Sequence, residues 1–230
     1  MNKKEPKIRA IDLFCGVGGL THGLARGGID VVAGVDVDPN CRYPYEANNS
    51  AKFIERDIKK IKASEIKSLF EDAPLRLLAG CAPCQPFSTY SRSGRKKRGD
   101  SDWELVANFG RLIRDVQPDF VTMENVPAVE HHPVFEHFLE CLEGYYRTWK
   151  VVECSSIGVP QTRKRLVLLA SRLGSKGLSV DWHTNRRATV RKTIFDLPPL
   201  SAGQRDPNDP LHLACRLSGL NLRRIKASEP

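Results

Sequence analysis

The chain is expected to fold as an open, doubly wound α/β domain built around a mostly parallel sheet. Three observations carry that expectation. Short apolar runs at residues 8–14, 31–35, 75–79, 120–123 and 166–170 are separated by stretches of helical periodicity, the alternation that produces parallel strands with crossover helices. The first run ends in Cys15-Gly16-Val17-Gly18-Gly19 and continues at helical spacing, which reads as strand, glycine turn, helix. Several runs also deliver a polar side chain at their carboxyl ends, where open α/β folds place their chemistry.

Composition sets the bounds. A length of 230 residues leaves room for one sizeable core plus an appendage, and 40% apolar residues is ordinary for a soluble domain. Seven cysteines, odd in number and irregularly spaced, suit a reducing cytoplasm better than a disulfide framework. A cytoplasmic protein is therefore expected, nucleoid-associated if prokaryotic. No apolar run approaches the roughly 20 residues that a membrane helix needs. The net charge of +9 favours polyanionic partners. No internal repeat is found.

Taken in order, residues 1–7 are polar and expected to fray. After the first strand and its glycine turn, Leu20, Leu24 and Ala25 mark a helix that Gly27-Gly28 closes. Glycines at such a turn let a ligand approach the backbone while the helix amino end faces it, although many such turns are merely structural. The run 31–35 delivers Asp36, 24 positions after Asp12. An acid there is placed to accept hydrogen bonds from the ribose of an adenosine-containing cofactor, or to cap a helix beginning near Pro39. Asp57-Ile58, after a short strand at 52–54, reaches the same edge or caps a helix at 61–70.

The centre of the chain is Gly80-Cys81-Ala82-Pro83-Cys84-Gln85-Pro86-Phe87-Ser88, directly after the run 75–79. Cys84 reads as a nucleophile held between prolines, because Pro83 fixes its own φ and restricts Ala82. Cys81 and Cys84 also spell C-x-x-C, so a redox pair, half of a zinc site and a buried inert thiol are alternatives. Cys141, Cys154 and Cys215 stand alone at no zinc spacing, and no metal is expected. A redox pair normally opens a helix, whereas Gln85-Pro86-Phe87 leads into a polar loop. That loop, 89–100, carries Arg92, Arg95, Lys96, Lys97 and Arg98; it reads as a lid over a polyanion or as a solvated loop.

Trp103, Leu105, Val106, Phe109, Leu112, Ile113 and Val116 define an amphipathic helix ended by Pro118. The strand 120–123 then presents Glu124-Asn125-Val126-Pro127, with Glu124 as an acid or hydrogen-bond clamp. His131, His132 and His137 lack a partner motif and read as helix-start and surface residues. A strand at 145–154 precedes Gln161-Thr162-Arg163-Lys164-Arg165, an anion clamp or a charged loop. Beyond Ser171 the sequence turns polar, with a short helix from 189 to 195 and one helical patch at 211–220.

Together, Asp12-Leu13-Phe14-Cys15-Gly16-Val17-Gly18-Gly19, Pro83-Cys84-Gln85-Pro86-Phe87-Ser88, Glu124-Asn125-Val126 and Gln161-Thr162-Arg163-Lys164-Arg165 resemble the ordered signature of DNA (cytosine-5) methyltransferases. The resemblance is firm over residues 8–171, and 196–200 and 209–230 resemble the lead-in to the family's target-recognition domain. It implies the Rossmann-like fold of S-adenosylmethionine-dependent methyltransferases, a catalytic domain at 1–175 and a linker with a truncated recognition region at 176–230. It also implies that Phe14, Gly16, Val17, Gly18, Asp36, Val37, Asp57, Ile58 and Pro83 hold S-adenosylmethionine. Cys84 would attack carbon 6 of a cytosine flipped out of double-stranded DNA, with Gln85 and Ser88 contacting the substrate. Glu124 would bind the ring nitrogen and amino group, and Arg163 and Arg165 the base carbonyl or a phosphate. The family's recognition domain and last motifs would follow Pro230. One chain of a split restriction-modification enzyme, partnered by a second polypeptide, is therefore expected, or a truncated gene product. An RNA cytosine methyltransferase and an inactive cofactor- or DNA-binding remnant are the other readings.

Overall fold

The computed structural model describes residues 7–83, 103–180, 184 and 188–228. Its centre is a seven-stranded sheet in the order β3-β2-β1-β4-β5-β7-β6. The first five strands are β1 (Ile8–Leu13), β2 (Asp30–Asp36), β3 (Lys52–Glu55), β4 (Leu75–Gly80) and β5 (Phe120–Asn125), and they run parallel. The last two, β6 (Tyr146–Glu153) and β7 (Lys164–Ser171), form an antiparallel hairpin that adds to β5 in antiparallel register. The mostly parallel, doubly wound sheet matches the expectation. Strands such as β1, with Ala10, Ile11, Asp12 and Leu13 all buried, show the continuous burial of a strand covered on both faces.

Helices α1 (Gly19–Arg26), α2 (Arg42–Asn48), α3 (Ala63–Phe70), α4 (Trp103–Val116) and α5 (Pro133–Glu140) connect the strands. The main core lies under α3, α4 and α5. There Phe109 of α4 meets Phe138 of α5 edge to face at 5.3 Å, both side chains fully buried. Gly110 lets α5 come close, since a β-carbon there would stand 2.8 Å from the Cys141 sulfur. A smaller cluster gathers Cys15, Tyr45 and Phe53 around α2.

Two local expectations are corrected. The helical patch at 211–220 is instead a hydrogen-bonded loop in which Arg205 pairs with Leu213. The Asp206 carboxylate accepts from the N–H groups of Asn208 and Asp209, and that of Asp209 from Leu211, so turn chemistry outweighs the apolar spacing. The helix begins later, as α7 (Gly219–Ala227), where the Ser218 hydroxyl accepts from Asn221 N–H. The helix expected at 61–70 starts at Ala63, with Glu65 reaching back to Lys62 N–H. The short helix after residue 189 is α6 (Val190–Ile194), capped by Thr189.

The chain runs outward from β1 to β2 and β3, then returns to β4 on the other side of β1. That reversal opens a crevice at the carboxyl ends of β1 and β4. Because β7 is antiparallel, its first residues lie at this same edge, opposite the end of β5.

Candidate active site

The first wall of the crevice is the turn after β1. Phe14, Gly16 and Gly18 all have positive φ, of 59°, 50° and 92°. Phe14 thus occupies a region that side chains disfavour, a strain of the kind that gathers at binding sites. At Gly18 any β-carbon would meet Asn49 at 2.3 Å and the Tyr45 ring at 2.9 Å, so only glycine fits. Gly18 offers α1 no side-chain cap. Asp12, buried in β1, supplies it instead by accepting from both the N–H and the hydroxyl of Thr21, at 3.1 and 2.7 Å. The Thr21 hydroxyl also bonds that of Tyr45 at 3.0 Å. Burial pushes the Asp12 carboxyl up to about 7, against the lowering effect of the Thr21 hydrogen bonds.

Asp36, at the end of β2, accepts from Gly16 N–H at 2.9 Å through one oxygen and from Asp38 N–H at 3.0 Å through the other. The turn at Pro39 is capped by Asp38, which accepts from Asn40 N–H. Asp36 is therefore occupied with shaping the glycine turn and retains lone pairs on each oxygen. Asp57 accepts from Lys59 N–H and closes its own local turn rather than capping α3.

Phe14, Asp36, Val37, Asp57, Ile58 and Pro83 line one cleft of about 130 Å³, together with Arg56, Cys81 and Leu105. Apolar walls with carboxylates at one end suit an adenosine. The volume is below the roughly 300 Å³ of a full ligand site, which fits one ring system rather than a whole cofactor. Gly16 and Gly18 form the adjoining turn; Val17 is 60% exposed and outside this lining. A larger groove around Glu136, Glu140 and Arg147 lies at the opposite ends of the strands, away from the crevice.

Beside the cleft, the end of β5 faces the start of β7. Arg165 Nε and Glu124 Oε1 are 2.8 Å apart, with the two side chains 20% and 35% exposed. Arg163 is exposed and contributes its carbonyl to Cys154 N–H, so the two arginines are not equivalent. Asn125 is buried; its amide donates to the Ala82 carbonyl at 3.2 Å and its oxygen accepts from Val126 N–H. Cys81 stands between cleft and carboxylate. Burial first, and the charge of Glu124 second, push its thiol up, so it is neutral. Cys84, Gln85, Ser88 and the basic loop lie outside the described residues. Among the described residues no group of three His, Cys, Asp or Glu is placed to hold a metal ion, and no helix is long and apolar enough to cross a membrane.

That Arg56, Cys81 and Leu105 line the cleft is not read from the sequence. Arg56 adjoins the Asp57 pair and Cys81 precedes Pro83, so proximity along the chain was a usable signal for both. Leu105 reads only as one apolar position of α4.

A strand-end crevice with a glycine turn and an acid on β2 is the nucleotide-binding arrangement of the doubly wound fold. The family described as C-5 cytosine-specific DNA methylase matches residues 8–219, and the chain belongs to it. The chain is 44% identical over 226 residues to the type II methylase M.HgiDII of Herpetosiphon aurantiacus, covering 96% of this chain and 63% of that protein. It is 30% identical over 200 residues to the type II methyltransferase M.XorII of Xanthomonas oryzae, covering 82% of this chain and 46% of that one. The crystal structure of a candidate DNA modification methyltransferase encoded within an E. coli prophage superposes with a TM-score of 0.69 at 25% identity, over 86% of this chain and 57% of that chain. The chain thus spans less than two thirds of each of these proteins.

Proposed function

We propose that the chain transfers a methyl group from S-adenosylmethionine to carbon 5 of cytosine in double-stranded DNA, as the catalytic chain of a two-part restriction-modification methyltransferase. The observation that carries this reading is the Glu124–Arg165 pair at 2.8 Å, set beside the cleft that Phe14, Asp36 and Asp57 line.

In this reading Phe14, Val37, Ile58 and Pro83 enclose the adenine, Asp36 accepts from the ribose, Asp57 flanks the ring, and the backbone of Gly16, Val17 and Gly18 borders the remainder. S-adenosylmethionine supplies an electrophilic methyl group on a sulfonium. The Cys84 thiolate forms a bond to carbon 6, and the electron pair of the 5,6 double bond shifts so that carbon 5 becomes nucleophilic. A proton shared between Glu124 and ring nitrogen 3 offsets the negative charge that develops there, while the other Glu124 oxygen accepts from the amino group. Arg165, with its Nε against one oxygen of Glu124, holds that carboxylate in place and faces the base carbonyl; exposed Arg163 serves a phosphate. After methylation carbon 5 loses its proton to a base, the double bond re-forms, and the thiolate leaves. Cys81, half-buried and neutral, is a poor competitor for Cys84. Gln85 and Ser88 contact the flipped base or its strand. The recognition function falls to a second polypeptide, with residues 1–175 as the catalytic unit and 176–230 leading toward it.

The test is labelled-methyl transfer to DNA by the assembled enzyme. Cys84→Ser should abolish transfer with cofactor binding nearly intact, and Cys81→Ser should be mild. Equal loss in both variants, each folded, would point to a paired-cysteine mechanism. Sequence-specific methylation by the 230-residue chain alone would sink the two-part arrangement and leave the chemistry standing.

A further inference from the structure

The turn between β3 and α3 brings Arg56, Asp57 and Ile58 to the cleft, yet it belongs to no strand. Its own bonds are local: Lys59 N–H donates to the Asp57 carboxylate, and the Lys60 and Ile61 N–H groups donate to the Asp57 carbonyl at 2.9 and 3.0 Å. Arg56 N–H donates to the Asp36 carbonyl at 2.9 Å, which ties the turn to β2 on one side. On the other side it is tied to α4. One terminal nitrogen of Arg111 donates to the carbonyls of Ile58 and Ile61, at 3.1 and 3.3 Å. Nε of the same guanidinium donates to the Asn108 amide oxygen at 3.3 Å, and Asp115 stands 3.6 Å from the other terminal nitrogen. Two turns before Arg111, Glu104 meets the Lys59 ammonium at 2.5 Å. Residues 104, 108, 111 and 115 recur at helical spacing and so share one stripe of α4.

We infer that Arg111 is a positioning residue for the adenosine end of S-adenosylmethionine, acting through the Ile58 carbonyl rather than by contact with the cofactor. The inference rests on the cofactor reading given above. Asp57 and Ile58 line the cleft from the turn, and Leu105 lines it from α4. The cleft is thus walled jointly by turn and helix, and its shape depends on how one is held against the other. The guanidinium supplies two of the bonds that hold them, and bonds from a charged donor are stronger than neutral ones. The Glu104–Lys59 pair, with side chains 52% and 35% exposed, adds less. Without the guanidinium both carbonyls would need water, and water admitted there would free Ile58, only 3% exposed, to leave the wall. Asp36 and the glycine turn would keep their own bonds, none of which involves α4.

The test titrates S-adenosylhomocysteine, the demethylated form of the cofactor, into the 230-residue chain by calorimetry, and measures KM for S-adenosylmethionine and kcat in the assembled enzyme. Arg111→Met keeps the stem and loses every donor. Its Kd and KM should rise at least about tenfold, the effect of removing hydrogen bonds made by a charged group, with kcat at saturating cofactor unchanged. Arg111→Lys keeps the charge without the planar fork and should fall between Arg111→Met and wild type. Arg114→Met, at an exposed position on the same helix, should match wild type. A variant that had merely lost stability would lower the fraction of active chains and leave the Kd of the remainder as it was. Wild-type Kd and KM in folded Arg111→Met would overturn the inference and leave the cofactor reading standing; if that variant does not fold, wild-type values in Arg111→Lys would do the same. A fall in kcat with KM unchanged would also overturn it. No binding by the wild-type chain, together with no methyl transfer by the assembled enzyme, would overturn the cofactor reading and this inference with it.

Discussion

Asp36 does two things with one carboxylate: it fixes the Gly16 and Asp38 N–H groups and lines the cleft. Asp36→Ala should therefore weaken S-adenosylmethionine binding by about 1.5–3 kcal/mol, the value of a hydrogen bond to a charged group, with a smaller change in turnover at saturating cofactor. Calorimetry on the folded variant checks this; unchanged affinity would remove Asp36 from the ribose. Asp12 makes a prediction of a different kind. Its carboxyl is pushed up from 3.8 to about 7 by burial, so the folded chain holds a proton that the unfolded chain releases near pH 4. The stability associated with that proton is full below about pH 4 and is lost as pH rises through about 7. Asp12→Asn keeps an acceptor for Thr21 without the charge, so its Tm relative to wild type should rise between about pH 5 and pH 8. A parallel pair of curves would refute the assignment. Asp36 and Asp57 were legible because each follows an apolar run, which fixes it at the sheet edge. Asp12 was not: an acid inside a strand gives no sign in sequence that a threonine nine residues on will satisfy it.

At the level of elements, β2 and α2 meet through a missing side chain. Tyr45 is fully buried with its ring against Gly34, where a β-carbon would stand 2.4 Å from the phenol. Gly34→Ala should cost about 1–3 kcal/mol by overpacking, and Tyr45→Phe in the same chain should recover little, since the ring itself collides. Denaturant midpoints of the single and double variants decide it. The strands and α4 were readable from periodicity because burial on both faces leaves uninterrupted apolar runs. The direction of β7 was not read. The residues between β6 and β7, from 154 to 163, are fewer than the dozen or so that a parallel crossover takes, so the antiparallel turn was available from loop length. The helical patch at 211–220 failed for a local reason, as Asp206, Asp209 and Pro210 commit that stretch to a turn before helical spacing can act.

For the whole molecule, the two sides of the crevice differ in how they are built. The cleft side follows β1, β2, β3 and β4, all parallel and wound with helices, whereas the arginine side hangs on a hairpin at the sheet's edge. The first side was legible as a pattern of strand, turn and acid; the second only as a cluster of charges, because nothing local says which strand will lie beside it. The β6–β7 hairpin is a contiguous segment with mostly local pairing, the kind of unit that opens by itself below the global unfolding threshold. Its detachment would part Arg165 from Glu124 without disturbing Phe14, Asp36 or Asp57. Native-state hydrogen exchange in low denaturant should therefore show the amides of β6 and β7 exchanging together before those of β1 and β2, and catalytic competence should vanish while cofactor is still retained. During synthesis the same geometry imposes a schedule. The walls of the cleft are complete once Leu105 has been added to the chain, but the Arg165 guanidinium arrives sixty residues later, roughly three to twelve seconds at ordinary elongation rates. A nascent chain thus has its cleft walled before the ion pair beside it exists.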